Sequence, residues 1–139
     1  SVMYYLSYGM NTNLESMKAR CPDAEPMGGF YLPNYRLVFR GVADLVPEDD
    51  CVAPVVLWKI TTQCLRSLDR VEGYPTLYTR RKINSYKWIC YFMVDSTALP
   101  PPSHGYYRMI GEGYRDFGLD TTPLRLAADE AGFKYVQSV

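Results

Sequence analysis

Histidine is nearly missing from this chain: among 139 residues there is one, His104. A tetrahedral zinc site therefore has no second imidazole to draw on, and the four cysteines, Cys21, Cys51, Cys64 and Cys90, stand far apart with no C-x-x-C pair. No metal is expected, and the cysteines read as reduced thiols, since a chain of this length does not depend on staples. Net charge is missing as well. Fifteen Lys plus Arg offset fifteen Asp plus Glu, so no overall field draws in phosphate backbones or anionic lipid, and neither nucleic acid nor a membrane is an expected partner. No apolar run approaches the ~20 residues of a membrane span, and Ser1 to Leu6 carries no basic n-region, so the expected location is cytoplasmic. Neither G-x-x-x-x-G-K-[ST] nor G-x-G-x-x-G occurs, which leaves a nucleotide cofactor without a sequence basis. His104 follows Ser103, yet no acidic residue lies close in sequence to complete a triad.

What is present suits one core. Hydrophobic residues make up 47% of the chain, and the length is that of a single α/β domain spanning residues 1–139. Tyr4-Tyr5-Leu6-Ser7-Tyr8 is short, aromatic and bounded by Gly9, the signature of a strand entering a turn. Asn13 is placed to cap a helix reaching Lys18 or Arg20. Phe30 to Phe39 and Gly41 to Val46 read as strands, Pro47-Glu48-Asp49-Asp50 as a polar turn, and Val52 to Ile60 as a buried strand. Cys64, Leu65, Leu68 and Val71 follow helical spacing between a Thr62 cap and a Gly73 stop. Tyr74 to Ile83 and Tyr86 to Val94 suggest a hairpin about Asn84-Ser85. After the stiff Pro100-Pro101-Pro102 connector, Ser103 caps a helix with Tyr107, Ile110, Tyr114 and Phe117 on one face. Thr122-Pro123 opens a last helix to about Ala131.

Three segments have residue types that chemistry needs. Tyr8-Gly9-Met10-Asn11-Thr12-Asn13 runs from a strand into a helix, and its successive backbone N–H groups can form an anion-binding concavity for a carboxylate or phosphate. The same glycine and asparagines also suit an ordinary turn. Glu72 stands at a helix end among aliphatic and aromatic neighbours, where partial desolvation raises a carboxyl pKa toward neutrality. A glutamate beside a glycine stop is equally the usual solvated surface group. Tyr91, within Ile89-Cys90-Tyr91-Phe92-Met93, can present a phenol to a pocket or simply pack, as can Tyr106 and Tyr107. The run Arg80-Arg81-Lys82 reads as a solvated strand end.

These segments occur in the order of one family. Tyr8-Gly9-Met10-Asn11 resembles the Y-G-S-N loop of the gamma-glutamylcyclotransferases and their AIG2-like relatives, and Leu68-Asp69-Arg70-Val71-Glu72-Gly73 resembles their L-D-x-x-E-G signature. Gly41 to Pro47, Tyr78, Arg80 and the helical end from Pro102 to Leu119 extend the likeness over nearly the whole chain. The resemblance implies a small barrel-like mixed sheet flanked by helices, an α+β arrangement, and no cofactor. It implies a small-molecule γ-glutamyl substrate whose α-carboxylate rests on the Gly9 to Asn13 amides, with Tyr91 lining the pocket and Glu72 as general acid and base. The implied reaction is cyclisation of the γ-glutamyl group to 5-oxoproline with release of an amine or amino acid.

One position departs from the family. Met10 replaces the loop serine, and a thioether cannot donate a hydrogen bond in its place. Backbone amides survive the change. The alternative reading of the same fold is a non-catalytic module that binds a small carboxylate or a protein partner.

Overall fold

The computed structural model describes residues 2–135. Its centre is a five-stranded mixed sheet in the order β2-β3-β1-β5-β4. β1 (Met3–Ser7) lies in the middle, antiparallel to β3 (Val42–Ile60) and parallel to β5 (Trp88–Met93). β2 (Glu25–Arg40) pairs with β3, and β4 (Tyr78–Ile83) with β5, both antiparallel. Four helices accompany the sheet: α1 (Leu14–Arg20), α2 (Thr62–Val71), α3 (His104–Asp116) and α4 (Thr122–Glu130). This is the mixed α+β arrangement that the sequence predicts.

The helix starts follow their caps. Asn13 Oδ1 accepts from Ser16 N at 3.0 Å and Ser103 Oγ from Tyr106 N at 3.2 Å, so both positions satisfy an otherwise orphaned amide. Two other starts fall one residue earlier than expected. Thr61, not Thr62, caps α2 through Cys64 N, and Thr121 precedes α4, whose Pro123 sits in the first turn. Only the first is a side-chain cap: Thr121 makes no capping bond, and Thr122 N donates instead to Asp120 Oδ1 at 2.9 Å.

The largest difference lies in the middle of the chain. The expected strand, polar turn and strand over residues 41–60 form one continuous strand, β3, against an equally continuous β2. The ladder breaks between Pro33↔Val52 and Tyr35↔Pro47, so Asn34 alone faces residues 48–51. Asn34 and Asp50 both take φ 65°, and Asp50 N donates to Asn34 Oδ1 at 3.3 Å. The turn chemistry was legible; it makes a pouch inside a strand pair instead of ending one. Gly41, with φ 80°, makes the true reversal between β2 and β3. At the β4–β5 hairpin both strands begin later than expected, β4 ends at Ile83 as expected and β5 one residue early at Met93, with residues 84–87 as the connection and positive φ at Asn84 and Lys87.

Side chains bring the near half of β3 against the β4–β5 edge. Asp44 is buried, pairs with Arg40 at 3.0 Å, and accepts from Met93 N at 3.1 Å, while Tyr78 Oη donates to Ala43 O at 2.6 Å. These bonds curl the sheet toward a barrel. Its interior is filled by Leu6, Phe39, Val55, Val56 and Leu68, all essentially without solvent exposure. Cys21, Cys64 and Cys90 are buried free thiols, and burial pushes the Cys21 thiol up to about 12. Among the described residues no helix is long and apolar enough to cross a membrane.

Candidate active site

β1 delivers Tyr8 and Gly9 to the edge of a cavity of about 270 Å³, close to the lower bound for small-molecule sites, roughly 300 Å³. A single 3-10 turn over Met10–Thr12 follows. Thr12 N donates to Gly9 O and Asn13 N to Met10 O, both at 3.1 Å, which leaves the Met10 and Asn11 amides at the head of the turn without an acceptor among the described residues. Asn11, Thr12 and Asn13 are all buried. A surface turn would expose them. Their burial is set by α3: a Cβ on Gly113 would stand 2.7 Å from Asn13 N and inside contact distance of Thr12 Oγ1, so only glycine lets the helix backbone lie on the loop. Gly9 has a similar constraint, with Tyr106 Oη 3.1 Å from where its Cβ would be.

Glu72 caps the C-terminus of α2 and opens onto the same cavity. Burial raises its carboxyl to about 7, and the Arg20 guanidinium acts in the opposite sense. Asn11 Nδ2 lies 3.4 Å from Glu72 Oε1 and 3.1 Å from Tyr5 Oη, so one amide spans the acid and a phenol. Arg20 fixes that amide from behind, donating to Asn11 Oδ1 at 2.6 Å. Its other terminal nitrogen donates to Met10 Sδ at 3.1 Å. The thioether in the serine position is thus an acceptor that holds a cation in the cavity wall.

Tyr91 lines the cavity and donates its hydroxyl proton to Asp69 Oδ1 at 2.6 Å. Arg80 grips both oxygens of Asp69, at 2.8 and 3.1 Å, and lies 4.4 Å over the Tyr74 ring. Burial would raise the Asp69 carboxyl, but its bonds to Arg80 and Tyr91 outweigh that and hold it below the usual carboxylate range. Burial and the Asp69 carboxylate together keep the Tyr91 phenol protonated far above its ordinary range. A carboxylate can only accept here, so the Tyr91 oxygen turns lone pairs, not a proton, toward other neighbours.

The geometry joins residues that are distant in sequence. Residues 5–109 match the family model described as gamma-glutamyl cyclotransferase, AIG2-like. The chain belongs to this family. No curated protein sequence matches. Among solved structures, one named gamma-glutamyl cyclotransferase is similar at TM-score 0.74 and 21% identity, covering 100% of this chain and 94% of its own. The human protein loc79017 is similar at TM-score 0.72 and 21% identity, over 99% and 93% of the two chains. YkqA from Bacillus subtilis is similar at TM-score 0.73 and 20% identity, over 95% of this chain and 55% of its own. At these identities the likeness shows a shared fold.

Within this AIG2-like fold, Tyr8, Gly9, Met10, Asn11, Glu72 and Tyr91 all line one cavity. Thr12 and Asn13 do not. They stand behind it: Thr12 Oγ1 donates to Gly9 O at 2.8 Å, and Asn13 Nδ2 donates to Met109 O at 3.0 Å, so their side chains hold the turn to itself and to α3. His104 is exposed, packs on Phe133 and takes no part in the cavity. Of the run Arg80-Arg81-Lys82, Arg80 departs from a solvated strand end, being half-buried and paired with Asp69, while Arg81 and Lys82 are exposed, Arg81 with its guanidinium 3.7 Å over the Phe92 ring.

Sequence reasoning missed Arg20 and Tyr5, which also line the cavity, and left Tyr106 open between pocket and packing. Arg20 had a usable signal. It lies three residues after Met17, the buried residue of α1, and therefore on the same face of that helix. Tyr106 lines the cavity too, and its hydroxyl reaches the wall by accepting from Ala43 N at 3.0 Å across a long stretch of chain, a contact no local pattern discloses.

Proposed function

We propose that the protein is a gamma-glutamylcyclotransferase that converts a small γ-glutamyl amide to 5-oxoproline and a free amine. The observation that carries this reading is Glu72: its carboxyl, raised to about 7, faces the same cavity as the unpaired Met10 and Asn11 amides. The substrate's α-carboxylate rests on those amides, with the Arg20 charge in the wall beside them. Its α-ammonium then lies toward Glu72 and the Tyr91 oxygen, both acceptors.

Glu72 takes a proton from the ammonium. The freed amine attacks its own γ-carbonyl carbon, closing the five-membered ring as a tetrahedral adduct. The γ-carbonyl C–N bond breaks as the protonated Glu72 returns its proton to the departing nitrogen, and the surplus proton of the ring nitrogen passes to that same amine, which leaves as an ammonium. A base with a pKa near 7 is suited to both halves of this exchange at neutral pH. Ring closure is intramolecular, so holding the glutamyl chain in a folded shape supplies much of the acceleration.

Glu72→Gln tests the reading. The change keeps the size of the side chain and removes the proton carrier, so 5-oxoproline release from a γ-glutamyl amide should fall by about 10³-fold. Binding of the substrate in calorimetry should persist. Unchanged turnover in this variant would remove Glu72 from the reaction; binding without any turnover by the unaltered protein would favour a carboxylate-binding module instead.

A further inference from the structure

The even charge balance of the whole chain hides a local excess. From the start of α3 to the end of α4 the basic side chains are Arg108, Arg115 and Arg125, and all of them line a second cavity, of about 300 Å³, built from these two helices. Among the described residues none of them forms an ion pair. The acids of the same stretch are turned to other partners. Glu112 accepts from Asn13 Nδ2 at 3.5 Å, Asp116 from Leu14 N at 3.0 Å, Asp120 from Thr122 N and Asp129 from Tyr135 Oη, both at 2.9 Å, and Glu130 pairs with Arg36. Each carboxylate is thus engaged elsewhere, and the guanidiniums are left to one another's charge.

These charges are gathered, not splayed. Arg108 and Arg115 lie about two turns apart and therefore on one face of α3. The Arg115 guanidinium lies back along the helix over Gly111, its terminal nitrogens 3.6 and 4.0 Å from where a Cβ would stand on that glycine. Arg125 closes the cavity from α4, Tyr107 and Leu124 give it apolar walls, and Thr121, whose hydroxyl makes no capping bond, adds a donor. Like charges collected without a counter-charge repel, and an anion entering among them relieves that repulsion.

The arrangement narrows the choice of anion. The planar guanidinium fork matches the oxygens of phosphate, and arginine is the residue that binds them bidentately. Arg108 and Arg115 start from backbone positions about 10 Å apart along the helix axis, so a single small ion serves them less well than a chain with a charge at each link. The volume is at the lower bound for small-molecule sites, roughly 300 Å³. We infer that this cavity binds an oligophosphate chain, free or as the phosphate end of a nucleotide, through Arg108, Arg115 and Arg125. It shares no lining residue with the Glu72 cavity, so the site stands or falls independently of the cyclotransferase reading.

The experiment titrates the full chain in calorimetry, at physiological salt and without magnesium, with inorganic tripolyphosphate, ATP and the tricarboxylate tricarballylate. A single tripolyphosphate should bind per chain, at least about tenfold more tightly than tricarballylate. Arg115→Gln should weaken it about tenfold, and changing Arg108, Arg115 and Arg125 together to glutamine should abolish it. Lys18→Gln, at an exposed cation of α1 outside the cavity, should leave it as it was. The triple variant should unfold at no lower temperature than the unaltered chain, because removing like charges relieves repulsion, so its loss of binding is not a loss of fold. ATP held as tightly as tripolyphosphate, or more so, assigns the site to a nucleotide, and ATP held more weakly assigns it to a free oligophosphate; either result supports the inference. No binding of either phosphate, binding that survives in the triple variant, or tricarballylate held as tightly as tripolyphosphate would overturn it.

Discussion

Two polar segments of this chain have much the same local composition and opposite fates. Tyr8 to Asn13 and Pro47 to Cys51 are both short and both rich in turn-forming residues, the first leading from β1 into α1 and the second lying within β3. In the first, Asn11, Thr12 and Asn13 are buried and their neighbours line the cavity. In the second, residues 47–50 are exposed, and Glu48 bonds outward to Arg36 at 3.3 Å and to the Cys51 thiol at 2.9 Å. Burial here is decided by what arrives from elsewhere. The loop is covered because α3 brings Gly113 onto it, and the pouch is bare because nothing crosses it. A buried polar loop must have every group satisfied, and this one has its spare amides only where the cavity admits a ligand.

The sharpest way to break that contrast is at the covering glycine. Gly113→Ala places a methyl against Thr12 and Asn13 backbone atoms that cannot rotate away. We expect a stability loss of about 3 kcal/mol in denaturant unfolding, because overpacking against backbone forces the helix and loop apart. Activity should fall by about 10²-fold even where the variant is folded, since a displacement of ~1 Å in a positioning loop has that effect. An alanine variant with full stability and full turnover would mean that α3 does not set the loop.

A second change acts on charge within the covered region. Glu72 stands near 7 because burial raises it more than Arg20 lowers it. The reaction needs the ionised carboxylate, so kcat/KM should rise with pH and reach half its plateau near pH 7. Arg20→Gln removes the lowering charge, and the acid limb should move to higher pH by about one unit, with kcat/KM at pH 7 down by about fivefold. The same group affects stability. A carboxyl raised in the folded state from its ordinary 4.5 to about 7 stabilises fully at low pH and loses that contribution as pH climbs through this window. Arg20→Gln should therefore steepen the fall in stability between pH 5 and 8 as followed by thermal unfolding.

The contrast also explains what the sequence could and could not disclose. The strands, the Asn13 and Ser103 caps and the Glu72 position were legible because each is a local matter: alternation, a hydroxyl or amide at a helix start, a glycine stop. Glu72 and the Gly9 to Asn11 loop were tied together only by resemblance to a family, since no local rule joins residues sixty apart. Arg20 was legible in principle through helical phase with Met17. Tyr5 was not, because a strand tyrosine facing a cavity and one facing a core have the same alternation, and Tyr106 of α3 could be named as pocket or packing but not assigned, for the matching reason on a helix. The pouch misled for the reverse reason. Turn residues at 47–50 announce a bend but do not say whether pairing resumes on the same partner, and here Val52 returns to Pro33.

The smallest expected effect belongs to that pouch. Asp49 is exposed, and among the described residues it makes no hydrogen bond or ion pair, unlike Glu48 beside it. Asp49→Ala should change unfolding stability by less than about 0.5 kcal/mol, as is usual for a solvated side chain outside any cap or network. Turnover of a γ-glutamyl amide should stay within twofold. The comparison is informative because Asn13 is also a single polar residue in a polar segment, yet its side chain caps α1 and reaches Met109 O. A large loss at Asp49 would place a partner on the pouch, and the difference between the two segments would then be one of which neighbour covers each, not of covered against bare.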